Sequence, residues 1–207
     1  MPNGLNAVVD ISHHNGNVDF AKLKGAGILG VIQKATQGSS NSDPTYEENR
    51  KRALSAGLLW GAYHFGTATD GIQQAVNFLK VVGDTKGTLL ALDFEPNPTG
   101  PSMSLEEARA FVTHVKGATG RVPGLYSGHY IKDLLGVTTD PVLASCWFWL
   151  AQYGPTPVVP PNWPKWTLWQ YTDGAIGPPP QEIAGVGRFD RDLFNGTADE
   201  LRAFWGT

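Results

Sequence analysis

Short apolar runs alternate with longer charged stretches over the first two thirds of the chain. Residues 7–11, 29–35, 59–65, 89–96 and 122–127 have the apolar, β-branched and aromatic character of strands. Residues 19–25, 45–56, 70–82 and 104–116 carry helical spacing and helix-end signals. Gly57 stands where a C-terminal cap belongs, and Ser104 with Glu107 forms a capping box. In 70–82 the apolar positions Ile72, Ala75, Val76 and Leu79 are expected to face the core. This strand–helix alternation with short connections predicts a parallel α/β sheet or barrel. After Leu135 the pattern changes. Residues 146–151 and 166–171 are aromatic, strand-like runs, separated by a loop holding Pro155, Pro157, Pro160, Pro161 and Pro164. A second loop contains Gly177-Pro178-Pro179-Pro180. Neither loop has room for a full helix, so the last strands are expected to close a barrel without crossover helices of their own. Thr197 and Glu200 form another capping box, opening a helix to about Trp205.

The run Leu89-Leu90-Ala91-Leu92-Asp93-Phe94-Glu95-Pro96 is the most informative of the strands. Alternation sends Leu90, Leu92 and Phe94 to one face and Ala91, Asp93 and Glu95 to the other. Pro96 is expected to end the strand. Two carboxylates then sit side by side at the strand's C-terminal end, where a parallel barrel gathers its functional groups. Paired acids suit acid/base chemistry, and equally a salt-bridged or capped strand end. Residues from other strand exits bear on the choice. Asp10 shares a face with Val8 and Ser12, leaving Val9 and Ile11 for the helices. Asp190, in Phe189-Asp190-Arg191-Asp192, reads as another acid at a strand end. Tyr63, Tyr126 and Trp169-Gln170-Tyr171 lie at further exits. Several carboxylates rimmed by aromatics suit sugar rings, although most of the seven Trp, notably Trp60 and Trp205, are expected to pack in the core.

Composition narrows the alternatives. The 207 residues allow one domain with a substantial core, and 41% hydrophobic content predicts an ordered globular chain. A net charge of -3, with no basic run, argues against nucleic acid and against a polybasic membrane anchor. No apolar stretch is long enough to span a bilayer. Cys146 is the single cysteine, which excludes an internal disulfide and reads as a small core residue. Met1-Pro2-Asn3-Gly4 lacks the charged and apolar regions of a signal peptide. Gly25-Ala26-Gly27-Ile28-Leu29-Gly30 matches a dinucleotide fingerprint, but it runs from helix to strand, the reverse of the order a phosphate site needs. Adjacent His13 and His14 point to opposite faces and lack metal-ligand spacing. No G-x-S-x-G elbow is present. Asn195-Gly196-Thr197 fits a glycosylation pattern, and Thr197 is equally explained by its capping role.

Val9-Asp10-Ile11-Ser12-His13-His14-Asn15-Gly16 resembles the opening motif of the glycoside hydrolase family 25 muramidases, the Chalaropsis-type lysozymes. So do Gly61-Ala62-Tyr63-His64-Phe65, Asp93-Phe94-Glu95, Gly124-Leu125-Tyr126-Ser127, Trp169-Gln170-Tyr171, and Phe189-Asp190 followed by Phe194-Asn195-Gly196. The motifs stand in the family's order and span nearly the whole chain. The resemblance implies an α/β fold, an incomplete (β/α) barrel of about five β/α units followed by strands lacking full crossover helices. It implies that 1–207 is one catalytic domain that cleaves the β-1,4 bond between N-acetylmuramic acid and N-acetylglucosamine. Glu95 is then the general acid, with Asp93, Asp10 and Asp190 completing the carboxylate set. Tyr63, Tyr126, Trp169, Gln170 and Lys34 are the expected substrate-binding residues. The family often has Asn where Asp192 stands, so Asp190 is taken as the matching acid and Asp192 as a possible misalignment.

Two same-face neighbours on a strand lie roughly 6.5–7 Å apart at Cα, and rotamers can bring their carboxyls to either the retaining or the inverting distance. The spacing therefore leaves open whether Asp93 stabilises the oxocarbenium-like centre, orients the acetamido group or attacks. A chitinase-like N-acetylhexosaminidase also carries acids at i and i+2 on a barrel strand, but here Leu89 and Ala91 occupy the preceding alternate positions. An inactive glycan-binding module is the alternative from another class. The expected partner is the peptidoglycan glycan strand, met by a monomer without metal or organic cofactor. The expected setting is extracellular or at the cell wall, for a secreted enzyme with its signal removed or a phage lysin.

Overall fold

The computed structural model describes residues 4–205. Met1-Pro2-Asn3, most of the stretch read above for a signal peptide, lie outside the described residues. Five strand–helix units come first: β1 (Leu5–Ile11) and α1 (Phe20–Gly25), β2 (Gly30–Gln37) and α2 (Tyr46–Ser55), then, after the short β3 (Asn41–Ser42) that precedes α2, β4 (Leu59–Phe65) and α3 (Gly71–Val82), β5 (Thr88–Asp93) and α4 (Leu105–Thr119), β6 (Gly124–Ser127) and α5 (His129–Leu135). Then β7 (Trp147–Ala151) and β8 (Leu168–Thr172) follow with loops between them. A small hairpin, β9 (Glu182–Ile183) and β10 (Gly187–Arg188), precedes β11 (Asp190–Phe194) and the C-terminal α6 (Ala198–Trp205).

The main sheet runs β1-β11-β8-β7-β6-β5-β4-β2-β3, and β1 also pairs with β2. That pairing closes eight strands into a barrel-like sheet, with β3 attached outside the ring. Seven of the eight run parallel along the ring; β11 lies antiparallel to both β1 and β8. Strand alternation divides the apolar residues into two cores. Val9, Ile11, Leu90, Leu92 and Phe94 face the helices. Val8, Ile32, Leu89, Ala91, Trp149, Leu168 and Phe194 fill the interior toward the strand N-termini. Helix α6 plugs that end with Leu201 and Trp205, and the Trp205 indole N–H donates to the Trp60 carbonyl at 2.7 Å. The result is a barrel with an apolar floor and an open C-terminal mouth.

Local signals account for many boundaries. Asp19 caps α1, Asp70 caps α3, and both capping boxes form as expected at Ser104/Glu107 and Thr197/Glu200. Gly57 adopts φ +73° directly after α2, a left-handed turn that L side chains rarely take. Cys146 is buried, and burial pushes its thiol up to about 12, as befits a core residue.

Two expectations need correction, and one helix has no signature in the sequence. Strand β5 stops at Asp93 rather than running to Pro96. Helix α5 gives no clear signal in the sequence, because its seven residues are too few to establish a period. In α3, Ile72 and Val76 are 46% and 44% exposed, while Gln74, Ala75 and Phe78 are buried. The helix is turned toward α4 because the Gln74 amide holds the following-strand loop: its Nε2 donates to the Thr67 and Thr69 carbonyls, and its Oε1 accepts from the Thr67 N–H.

Gly71, the first residue of α3, makes the close approach to α4 possible. A methyl there would collide with the backbone carbonyl of Glu107, which cannot swing aside as a side chain can. Gly71→Ala is expected to cost about 2–3 kcal/mol through overpacking, lowering Tm by about 5–10 °C for a chain of this size. Thermal unfolding followed by near-UV circular dichroism checks this; an unchanged Tm would mean that α3 and α4 separate freely.

Candidate active site

The mouth of the barrel holds a cavity of about 180 Å3 whose walls include Asp10, Asp93, Glu95, Tyr126, Gln170 and Asp190. Tyr63, Trp149 and Tyr153 complete it. Past Glu95 it opens into a wider groove of about 480 Å3 bordered by Pro96, His129, Tyr130, Tyr153 and Ile176.

Backbone geometry delivers the two central acids. Asp93 ends β5 with its side chain on the interior face, in line with Leu89 and Ala91. Glu95 lies two residues beyond the strand, yet the chain there is not loose. The Phe94 N–H donates to the Tyr126 carbonyl at 2.9 Å, and the Ser127 hydroxyl donates to the Phe94 carbonyl at 2.6 Å. The ring of Phe94 is buried among the helices, against Tyr130. Glu95 is therefore held over the mouth by β6.

Asp190 reaches the same mouth from the opposite direction. It does not end a strand, as expected, but begins β11, opposite Asp10 in the β1 register. Because β11 is antiparallel, its start lies at the mouth and its end, Phe194, at the floor. Asp192 falls between them on the interior face and is wholly buried. The Trp149 indole N–H donates to its Oδ1 at 2.6 Å.

Gln170 organises the opposite wall. Its Nε2 donates to Asp10 Oδ2 at 2.7 Å, while its Oε1 accepts from the Tyr126 and Tyr153 hydroxyls at 2.8 and 2.9 Å. Both lone pairs of the amide oxygen and one of its two N–H groups are thereby occupied. Gln170 lines the cavity as expected, but the protein itself uses most of its bonding capacity.

Trp169, expected at the substrate, is not there. Its ring is buried in the outer core beside Trp166 and Tyr171, and its indole N–H donates to the Gln152 carbonyl at 2.7 Å. Alternation forces this, since Gln170 faces inward and its neighbours must face out. The same rule points to a residue that sequence reading passed over. Trp149 faces inward, stacks edge-on against Tyr126 at 4.8 Å and Tyr63 at 6.4 Å, and forms the cavity's aromatic wall. Its place in the Trp147-Phe148-Trp149-Leu150-Ala151 alternation was the available signal. Tyr153 follows that strand in a loop and carried no such signal.

Lys34 lies beside the acids rather than among the walls of the cavity. Its Nζ donates to Gln37 Oε1 at 2.6 Å and sits 4.8 Å from the centre of the Phe65 ring. Burial draws its pKa down, opposed by the attraction of Asp93, Asp43 and Glu95. His13 donates its backbone N–H to Asp43 Oδ2, and its ring Nδ1 lies 2.8 Å from the same oxygen.

Burial and crowding shape the titration of the acids. Asp10 is raised well above the usual carboxylate range by burial, then by the charges of Asp190 and Asp192. Asp93 is raised by burial and by Glu95, against the pull of Lys34. Glu95 is raised by burial, again with Lys34 opposing. Burial, with Asp173 and Glu95 nearby, brings Asp190 to about 6. Like charges so close disfavour full ionisation, so the cluster keeps protons into mildly acidic conditions and titrates as a unit. One oxygen, Asp93 Oδ1, is buried with no hydrogen-bond donor among the described residues. The site thus combines proton-holding carboxyls, an unpaired acceptor and an aromatic wall: the parts needed to protonate a leaving oxygen and hold a polar ring substituent.

Comparison with known proteins gives the same direction. Residues 9–178 match the family described as Glycosyl hydrolases family 25. Lysozyme M1 of Streptomyces globisporus is 32% identical over 210 residues, covering 94% of this chain and 69% of that protein. The N,O-diacetylmuramidase of a Chalaropsis species is 31% identical over 188 residues, covering 79% of this chain and 86% of that protein. Among solved structures, a bacterial lysozyme from Streptomyces coelicolor superposes with a TM-score of 0.84 at 31% identity, covering 100% of this chain and 99% of the other.

Proposed function

From the chain's membership of glycosyl hydrolase family 25, we propose how its cleft carries out muramidase chemistry on peptidoglycan. The substrate is the glycan strand, and the bond is the β-1,4 link between N-acetylmuramic acid and N-acetylglucosamine. The observation that carries the reading is the pairing of Glu95 with Asp93 at the mouth of one cleft, both raised above the usual carboxylate range by burial.

Glu95 acts as general acid. Burial raises its pKa and so favours the protonated form, and its place between the cavity and the wider groove suits a proton delivered to the oxygen joining two sugars. Asp93 uses its unpaired Oδ1 to accept the N–H of the substrate's acetamido group. That bond holds the acetamido oxygen near the anomeric carbon as positive charge develops there. Asp10 and Asp190 complete the electrostatic setting, Trp149, Tyr63 and Tyr126 supply apolar faces to the rings, and Lys34 limits how far the Asp93 and Glu95 pKa values climb.

The same reading takes residues 1–207 as one catalytic domain, a (β/α) barrel missing helices in its last third, acting as a monomer on the bacterial wall. Among the described residues no helix is long and apolar enough to cross a membrane. Digestion of purified peptidoglycan, with released reducing ends identified by mass spectrometry, tests the activity. Muropeptides ending in reducing N-acetylmuramic acid are expected. Reducing N-acetylglucosamine ends would move the cut to the other bond, and no release from folded protein would leave only glycan binding.

A further inference from the structure

Asp192 poses a problem that the reaction alone does not resolve. Its side chain is wholly buried in the barrel interior, one step below the mouth. Oδ1 is satisfied by the Trp149 indole, but Oδ2 has no N–H or hydroxyl donor among the described residues. An ionised carboxylate left in this way is among the most costly groups a protein can bury. The charged and titratable groups near it are few. β1 contributes Asp10, whose carboxyl is within hydrogen-bonding reach. Its own strand contributes Asp190 at the mouth. From β8 and β7 come the neutral Gln170, opposite it in register, and Trp149. Arg191 gives no relief, because its guanidinium turns outward to Asn6, Pro180 and Glu182. No cation faces the group, and its acidic neighbour can hydrogen-bond to it only if a proton lies between them.

We infer that Asp192 and Asp10 share one proton in a carboxyl–carboxylate hydrogen bond at Asp192 Oδ2, making Asp192 a positioning residue that fixes the Asp10 carboxyl from below while Gln170 fixes it from the side. Trp149 then holds one oxygen of Asp192 and the shared proton holds the other, so one buried group ties the aromatic wall to the acid cluster. Burial raises Asp192 to about 8 against the pull of its Trp149 and Asp10 hydrogen bonds, and raises Asp10 well above the usual carboxylate range, in keeping with one proton retained by the pair at neutral pH. An asparagine has the same shape with a permanent donor and acceptor, so it is the substitution that mimics this state.

The inference rests on the reading of the cleft as catalytic, and two measurements separate the two claims. The first is kcat/KM on peptidoglycan at pH 5–6 for Asp192→Asn and Asp192→Ala, with folding verified by near-UV circular dichroism. Loss of a buried hydrogen bond to a charged group predicts a fall of about 10–100-fold in the alanine variant, and recovery to near wild-type turnover in the asparagine variant. The second is Tm against pH for Asp192→Asn and wild type, which needs no substrate. In the unfolded chain Asp192 ionises near its ordinary 3.8, and in the folded chain only near 8. Stability tied to its proton is therefore complete below the lower value and drains away as pH climbs to the higher. The asparagine variant has nothing to lose, so its Tm advantage should widen from pH 4 to 8 and stay level above. A flat Tm difference, or an asparagine variant as impaired as the alanine one, would overturn the inference. Failure of the wild type to cut peptidoglycan would sink the cleft's catalytic reading and leave the Tm test standing.

Discussion

Glu95→Gln is expected to leave a folded protein whose peptidoglycan turnover is about a thousandfold lower, a loss within the range for removing a general acid. Glutamine is nearly isosteric and keeps the hydrogen-bonding outline, but it has no proton to give the glycosidic oxygen. Activity of the wild type should fall as pH rises and Glu95 ionises, and because burial raises its pKa the fall comes at higher pH than for a free glutamate. The variant should also be the more heat-resistant protein at neutral pH. A folded-state pKa above the unfolded value means that wild-type stability is full at low pH and is lost as Glu95 is forced to ionise. Glutamine escapes that loss, trading function for stability. Parallel turnover and thermal-melt measurements at pH 5 and pH 7 check both halves. Near-normal turnover would take the acid role away from Glu95.

Asp93→Asn should lower kcat by about 10²–10³-fold, with a smaller change in KM, as expected when an interaction strengthens in the transition state. Asparagine keeps one acceptor oxygen, but it carries no charge to support the acetamido group as it turns toward the anomeric carbon. NMR of the first-formed product anomer in the wild type distinguishes the routes. Retained configuration with no trappable glycosyl-enzyme agrees with acetamido participation. A glycosyl ester trapped on Asp93 would replace orientation by direct attack, and inverted product would require an activated water instead.

Much of this site is legible in the sequence because strand alternation is a strict rule. Leu90, Leu92 and Phe94 on one face oblige Asp93 and Glu95 to the other, and Val9 and Ile11 do the same for Asp10. The rule fails where it was not applied. Trp169 belongs outside as soon as Gln170 is placed inside, and Trp149 inside as soon as Phe148 and Leu150 are outside. Other features have no local signature. The face of α3 depends on the Gln74 amide holding a loop, so the apolar spacing of Ile72 and Val76 misleads. The direction of β11 depends on which neighbours it finds, so Asp190 reads as a strand end when it is a strand start. Gln170 looks like a free polar group until Tyr126, Tyr153 and Asp10 are seen to meet it.

The insertion of β11 between β1 and β8 also sets a timetable for the enzyme's birth. β1 leaves the ribosome before every other strand of the barrel, and β11, one of its two neighbours, leaves after all of them. At translation speeds of about 5–20 residues per second, roughly 10–40 seconds separate them. Over that interval one edge of β1 has no partner to cover it, and an edge in that condition invites pairing with other chains. The same interval lacks Asp190 and Asp192, so the acid cluster is incomplete until β11 is made. Closing the ring and arming the cleft are one event, and it falls to the last barrel strand to be made.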